Sequence, residues 1–346
     1  MTPTRKGILL VNLGSPDSPA VGDVRKFLRE FLMDARVLDA PWPIRFGVVH
    51  FLILPFRPRA SAEAYAKIWT PEGSPLKVIS QKVTEALRAR VDLPVHLAMR
   101  YQSPSIDAGL EALLREGADE ILLIPLFPHY AMSSYETAVE KVREVLNQKA
   151  PGVALAVQPP YFDRPDYIRA LAESARAGLD EGFDHLMISF HGIPERHLKK
   201  SDPTCSHCLQ VPDCCAGDHP AHRTCYRAQC QKTAEAFVRE ANVPKDKYSV
   251  TFQSRLGRDP WLKPYTDLEI ERLGREGVQR LKVICPAFVS DCLETVEEID
   301  IRGRDSFKES GGGDCRLIPC LNDHPSWVQT LMNMVSEFEL NEIPKK

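Results

Sequence analysis

The segment EGADEILLIPLF (116–127) is matched much later in the chain by EGVQRLKVICPAF (276–288). In both, a Glu-Gly pair precedes a short apolar run of the kind that forms a buried strand. A second pair of segments agrees with this likeness, because Tyr-Gln-Ser at 101–103 resembles Phe-Gln-Ser at 252–254. The chain is therefore predicted to contain two similar halves.

Eight short apolar runs alternate with longer helical patterns, and this alternation predicts parallel α/β sheets. The predicted strands are 6–13, 94–101, 120–127, 153–159, 185–190, 248–253, 280–286 and 315–320. The clearest predicted helices are 76–91, 105–116, 134–148, 166–181, 229–241 and 265–276. We expect an α/β fold of two similar doubly wound domains, each a four-stranded parallel sheet flanked by helices.

The length of 346 residues suits two domains that each bury a core. We place the first domain at 1–163 and the second at 164–346, with the join in a proline-rich stretch. The first domain contains an apolar segment at about 41–58, and the second a cysteine-rich insertion at about 203–230. The final helix is expected to pack back on the N-terminal domain.

Composition and charge narrow the class of protein. The formal net charge is −3, so nothing suggests binding to nucleic acid. No run reaches the roughly 18 apolar residues of a membrane-spanning helix, and the N-terminus lacks the layout of a signal peptide. We expect a cytoplasmic protein, in which clustered thiols indicate metal or redox chemistry more often than disulfides.

Polar side chains follow the predicted strands in both halves. In open α/β sheets, ligands bind at the carboxyl ends of the strands. The side chains at these ends are Asn12, Ser15, Arg100, Tyr101, His129, Tyr130, His191, Gln253, Arg255, Asp291 and Glu294. Two such sets facing each other would line one cleft between the domains.

The segment SFHGIPER (189–196) places His191 directly after a buried strand. A neutral imidazole there could accept a proton or contact a metal near pH 7. The alternative is that His191 is a capping or core residue, and the residue type alone leaves both interpretations open.

The segment DCLETVEEID (291–300) is predicted to open a helix after another strand. Asp291, Glu294 and Glu298 are spaced to share one helical face. A row of carboxylates at a strand end could pass protons or a hard divalent cation along the helix. The alternative is a solvated acidic face that the helix dipole favours.

The segment APWPIRFGVVHFLILPFRPRA (40–60) carries many large apolar residues, with Arg45, Arg57 and Arg59 among them. A buried helix would explain the apolar residues. The flanking arginines instead fit an apolar lip that touches a membrane surface or a large flat apolar ligand.

Taken together, these motifs resemble the ferrochelatase family, whose members insert Fe²⁺ into protoporphyrin IX to make haem. The resemblance covers nearly the whole chain in order. Its motifs are LLVNLGSP (9–16), GSPL (73–76), MRYQSP (99–104), SFHGIPER (189–196), FQSRLGRDPWLKPYTD (252–267), CPAFVSDCLETVEEID (285–300) and LND (321–323). The family fold of two similar four-stranded parallel sheets agrees with the predicted strands.

The resemblance implies a role for each matching residue. His191 and Glu294 match the catalytic pair that contacts the iron or the pyrrole protons from opposite sides of the porphyrin. The other residues that the resemblance assigns to porphyrin binding or to the acidic path are Leu13, Arg100, Tyr101, Ser133, Asp291 and Glu298. One departure is Cys292, where some relatives have histidine, and we interpret it as a helix-packing residue.

Six of the ten cysteines lie between 205 and 230. Some bacterial ferrochelatases are similar in holding a [2Fe–2S] cluster through four cysteines of an internal segment, and thiolates are the usual ligands of such a cluster. The resemblance favours Cys205, Cys208, Cys214 and Cys215 as ligands, with Cys225 as the first substitute.

Structural zinc is the alternative for this segment, because Cys₄ and Cys₃His sites suit it equally. Three histidines lie close by in the sequence, namely His207, His219 and His222. A disulfide pair is a third alternative.

The leading functional hypothesis is a protoporphyrin ferrochelatase, a lyase with Fe²⁺ and protoporphyrin IX as substrates and peripheral contact with the inner membrane through the lip. Coproporphyrin III, or another tetrapyrrole, is the alternative substrate of the same chemistry. The alternative from another class is a redox-sensing protein that binds haem or iron. We expect a monomer or a homodimer.

Overall fold

A computed structural model describes residues 5–257 and 259–340 of the chain. It confirms the predicted α/β fold with two four-stranded parallel sheets. The strands are β1 (Lys6–Gly14), β2 (Val95–Tyr101), β3 (Glu120–Pro125), β4 (Ala154–Val157), β5 (His185–His191), β6 (Tyr248–Gln253), β7 (Arg280–Ile284) and β8 (Asp314–Leu317).

Helices flank both sheets. The α-helices are α1 (Val21–Leu32), α2 (Trp42–Gly47), α3 (Arg57–Ile68), α4 (Pro75–Arg88), α5 (Ile106–Arg115), α6 (Thr137–Lys149), α7 (Pro165–Asp180), α8 (Glu195–Ser201), α9 (Tyr226–Glu240), α10 (Thr266–Arg275), α11 (Arg304–Glu309) and α12 (Pro325–Glu339). The π-helices are Val48–Ile53, Met132–Glu136 and Leu293–Gly303, and the 3₁₀ turns are Pro220–Arg223 and Lys245–Lys247.

The chain divides into two compact units. The first contains the described residues of Met1–Phe127, Met132–Pro159 and Val328–Lys346, and the second contains Pro128–Ala131 and Pro160–Trp327. The greater part of α12 thus belongs with the first unit. There the Lys6 ammonium donates a hydrogen bond to the Phe338 carbonyl oxygen at 2.8 Å and lies 4.7 Å from the centre of the Phe338 ring.

The two sheets have equivalent strand orders, which explains the repetition in the sequence. The order is β2-β1-β3-β4 in the first unit and β6-β5-β7-β8 in the second. The two similar segments therefore contribute β3 and β7, which occupy the same position in their sheets. Both strands pair on two sides, so they are central in their sheets, and all their residues except Arg280 are buried.

Gly14 is the last residue of β1 and pairs with Tyr101, the last residue of β2. Its φ is +103°, and a Cβ atom on it would lie 2.0 Å from the Tyr101 carbonyl oxygen of β2. Only glycine avoids that clash and accepts that backbone conformation. The glycine of LLVNLGSP thus lets β1 and β2 end side by side at the edge of the sheet.

The apolar lip is exposed. It consists of α2, the π-helix Val48–Ile53 and the turn that follows, and the most exposed side chains include Phe51 at 69% and Phe56 at 75%. The interpretation of this segment as a buried helix is therefore wrong. Arg45 does not flank the exposed face, because it is buried and donates to the Ala40 carbonyl oxygen at 2.8 Å.

No helix within the described residues is both long enough and apolar enough to cross a membrane.

Candidate active site

His191 is the last residue of β5 and is half-buried. Its Nδ1 lies 2.6 Å from the Gly192 carbonyl oxygen. Because a carbonyl oxygen only accepts, Nδ1 carries the ring proton in the neutral imidazole and Nε2 carries the lone pair. The Phe288 ring lies edge-on to the imidazole at 6.2 Å between centroids. His191 is therefore held with a basic nitrogen available at the end of its strand.

Glu294 and Glu298 lie on the π-helix Leu293–Gly303. Burial raises the pKa of Glu298, and the negative charge of Glu294 raises it further. Hydrogen bonding from Ser254 and the charge of His191 oppose this rise without cancelling it. The π-helix that carries both glutamates is joined to the end of β6, which pairs in register with His191.

Ser254 and Gln253 support this group from the end of β6. The Ser254 amide donates to Glu298 Oε1 at 3.0 Å, and its hydroxyl donates to Oε2. The Gln253 side chain donates from Nε2 to the Glu294 carbonyl oxygen at 2.7 Å, while its main-chain oxygen accepts from the Gly192 amide at 2.6 Å. Gln253 thus ties the segment after His191 to the start of the π-helix.

Asp291 lies before the helix rather than on it, because the helix begins at Leu293. The expectation that Asp291 shares one α-helical face with the two glutamates is therefore wrong. Its carboxylate accepts hydrogen bonds from the Asn322 side chain at 2.7 Å and the Thr295 hydroxyl at 3.0 Å. These contacts fasten the start of the helix to the LND motif after β8.

Cys292 is the N-cap of the same helix and is buried. Its sulfur accepts the amide hydrogen of Thr295, which agrees with a packing role. Burial raises the pKa of its thiol well above the ordinary value, and the neighbouring Glu294 carboxylate raises it further.

The predicted porphyrin-binding residues of the first unit lie in a different network. Arg100 and Tyr101 end β2, and both donate hydrogen bonds to Asp34, a residue that the sequence interpretation missed. Leu13 lies at the end of β1 and Ser133 on the π-helix Met132–Glu136, and both are half-buried. For Asp34 the sequence offered only an aspartate two residues beyond an amphipathic helix, and many surface helices end that way.

Among the candidate cluster ligands in the cysteine-rich segment, Cys205 differs from the others in its exposure. Cys205 is exposed and its thiol lies 3.7 Å from the Asp202 carbonyl oxygen. Cys208 and Cys215 lie close enough to Cys225 for its thiol to raise the pKa of each of them. Cys214 is buried nearby, and its sulfur accepts from the Leu209 amide at 3.4 Å.

As a result, the pKa values of the thiols are shifted in opposite directions. The hydrogen bonds from Cys215 and Cys208 lower the pKa of Cys225 to about 6 against the effect of burial. Burial and Cys225 raise the pKa of Cys208 well above its ordinary value. In the part of the chain that the structure describes, no group of three or more His, Cys, Asp or Glu side chains is arranged as a metal site.

Comparison with known proteins decides the family. The ferrochelatase family model matches residues 5–339. The chain belongs to the ferrochelatase family. Among the curated ferrochelatases, that of Azotobacter vinelandii is 51% identical over 96% of this chain and 98% of its own length. That of Stutzerimonas stutzeri is 49% identical over the same shares of both chains.

Solved structures show the same fold at low sequence identity. SirB from Bacillus subtilis with Fe³⁺ is 14% identical, with a TM-score of 0.53 over 96% of this chain and 95% of its own. The sirohydrochlorin chelatase SirB in complex with cobalt, from subspecies spizizenii, is 12% identical with a TM-score of 0.54 over the same shares. The predictions of a chelatase-like fold and of ferrochelatase activity, a porphyrin metal-chelating lyase, are confirmed.

The raised pKa of Glu298 predicts how stability depends on pH. Between pH 4.5, the ordinary glutamate value, and the raised pKa of the folded protein, Glu298 keeps its proton in the native state but has lost it in the unfolded chain. The stabilisation from this group is therefore present below that value and is lost as the pH rises through the folded pKa.

We expect the wild type to lose stability relative to Glu298→Gln as the pH rises above 4.5. The quantity compared is the difference between their free energies of unfolding. Urea unfolding of metal-free protein across a pH series measures this difference. A difference that stays constant, or rises, would contradict the assignment.

Proposed function

We propose that this ferrochelatase inserts Fe²⁺ into protoporphyrin IX to form protohaem, with His191 and Glu294 as the catalytic pair. The observation that carries the proposal is the set of hydrogen bonds from Gln253 and Ser254 that joins the strand end holding His191 to the helix holding both carboxylates. Imidazole and carboxylate are ligands that Fe²⁺ accepts, and both also transfer protons near neutral pH.

Two side chains of the site can take up the two protons that the pyrrole nitrogens must lose. His191 carries its lone pair on Nε2, so it can accept the first proton directly. Glu298 has a raised pKa, so it can hold a proton closer to neutral pH than an ordinary glutamate and pass it along the helix. The main chain of Glu294 is held by the Gln253 side chain, which donates to its carbonyl oxygen at 2.7 Å.

The first test is the substitution His191→Ala. Loss of a positioned general base lowers turnover by about 10²–10⁴-fold, so we expect at least a 100-fold fall in kcat for iron insertion. His185→Ala is the matched control, because His185 begins the same strand at its opposite end. The measurement is protohaem formation without oxygen, with circular dichroism to confirm folding.

Near-normal turnover of folded His191→Ala would reject the mechanism. The porphyrin is tested separately, by comparing kcat/KM for protoporphyrin IX and coproporphyrin III. We expect protoporphyrin to be preferred, since the exposed lip is apolar. A preference for coproporphyrin would keep the catalytic pair and change the substrate.

We also propose that the cysteine-rich segment holds a [2Fe–2S] cluster through Cys208, Cys214, Cys215 and Cys225. The contacts among their thiols support this set, and they favour Cys225 over Cys205 as the fourth ligand. Thiolates are the species that bind iron, and the lowered pKa of Cys225 favours its thiolate. A bound cluster would supply a one-electron redox centre.

Two serine substitutions distinguish these ligand sets. We expect Cys225→Ser to lose the visible absorption and the stoichiometric iron and sulfide of anaerobically purified protein, because it removes a ligand. Cys205→Ser, the matched control in the same segment, should retain them. The reverse result would restore Cys205 to the ligand set, and stoichiometric zinc in colourless wild type would establish the structural alternative.

The lip is proposed to contact an anionic lipid bilayer peripherally. Large exposed apolar side chains support this, with Arg57 and Arg59 exposed beside them. Location at the inner membrane and a monomeric or homodimeric state remain part of the proposal.

The double variant Phe51→Ser/Leu52→Ser tests the contact. Burying one such side chain contributes about 1.5–3 kcal/mol, so we expect at least tenfold weaker binding to vesicles that contain anionic lipid. Leu268→Ser is the control, because Leu268 is an exposed leucine on α10 in the other unit. Cosedimentation measures the binding, and equal binding of all three proteins would exclude the lip.

A further inference from the structure

Asp34 is a nearly buried carboxylate that belongs to no described role. It follows α1, and its side chain is only 7% exposed. An isolated charge with so little water around it would be costly, so its surroundings must compensate for it. The structure shows that four hydrogen-bond donors converge on this one side chain.

Three of the donors share a single oxygen. Asp34 Oδ2 accepts from the Arg100 guanidinium at 2.5 Å, the Thr137 hydroxyl at 2.5 Å and the Tyr101 hydroxyl at 2.9 Å. Its other oxygen accepts from the Arg36 amide at 2.8 Å. The contacts join the end of α1, the end of β2 and the start of α6.

The same contacts fix the charge of the group. Burial raises the pKa of Asp34, but the hydrogen bonds from Thr137, Arg36 and Tyr101 and the charge of Arg100 outweigh it and leave the pKa lowered. Asp34 is therefore ionised at neutral pH and balances the charge of Arg100. The guanidinium also lies 4.4 Å from the centre of the Tyr101 ring, stacked against it.

We propose that Asp34 is a positioning residue for porphyrin metalation, which acts by holding the Arg100 guanidinium and the Tyr101 ring in one fixed arrangement. This inference rests on the proposed role of Arg100 and Tyr101 in binding the porphyrin. Within this arrangement Arg100 keeps some accessible surface, 14% of its side chain, whereas Tyr101 is fully buried and packs against the guanidinium.

The donors explain why Arg100 needs this partner. Its Nε donates to the Thr137 hydroxyl at 2.8 Å, and the Thr137 hydroxyl in turn donates to Asp34. Without the carboxylate, both the guanidinium and the Tyr101 hydroxyl would lose their common acceptor. The side chain of Arg100 would then turn toward water, as charged groups without a partner do.

The test is a double-mutant cycle with Asp34→Asn, Arg100→Leu and the combined variant. For each protein, protoporphyrin binding is measured by fluorescence quenching, and kcat and KM are measured for iron insertion. We expect Asp34→Asn to weaken porphyrin binding and to lower kcat at least tenfold. We expect the combined variant to be no worse than Arg100→Leu alone, since Asp34 acts through Arg100.

Asp119→Asn is the matched control, because Asp119 also accepts a main-chain amide but lies just before the amino end of β3. Thr137→Val removes one donor to Asp34 without changing the charge, and a three- to tenfold loss is expected from it. Thr137→Val is also the test that remains if Asp34→Asn does not fold.

Three results would overturn the inference. The first is near-normal kinetics of folded Asp34→Asn or Thr137→Val alongside a defective Arg100→Leu, which leaves the proposed role of Arg100 intact. The second is a combined variant whose defect is the product of the single defects, which means that Asp34 acts independently. The third is a wild-type-like Arg100→Leu, which removes the proposed role of Arg100 as well.

Discussion

Parallel pairing is the constraint on which this protein depends, because it brings the carboxyl ends of neighbouring strands to one edge of each sheet. In the second unit, that edge holds His191 at the end of β5 and Gln253 at the end of β6, paired directly in register. The first unit places Gly14 opposite Tyr101 in the same way. Chemistry-bearing residues far apart in the sequence therefore become neighbours without any special local motif.

Such an edge gathers polar groups in a place with little water, so each must find a partner. Three side chains provide such partners, and each of them connects several elements: those of Gln253, Asp34 and Asp291. A buried network whose members are all bonded has one arrangement, whereas a partly bonded network has several. The same hydrogen bonds that satisfy these residues therefore also hold the reactive side chains in fixed positions.

The sequence predicted the strands well, because β3 is a short and nearly continuous apolar run and β7 follows the same Glu-Gly turn signal. It could not predict Asp34, whose importance arises from donors on β2 and α6 that only the tertiary fold brings near. It also placed Asp291 on a helix, since nothing in the residue pattern distinguishes a π-helix that begins at Leu293 from an α-helix that begins earlier.

The cysteine-rich segment shows why spacing alone cannot choose ligands. Cys205 and Cys208 have the Cys-x₂-Cys spacing that is typical of metal sites, yet Cys205 is exposed. The Asp202 carboxylate accepts the main-chain amides of both His207 and Cys208 at 2.9 Å, and this turns Cys208 inward. Cys225, ten residues beyond the Cys-Cys pair, comes back to the thiols because it is the N-cap of α9. Side-chain anchoring of the backbone, which spacing does not encode, thus decides which thiols meet.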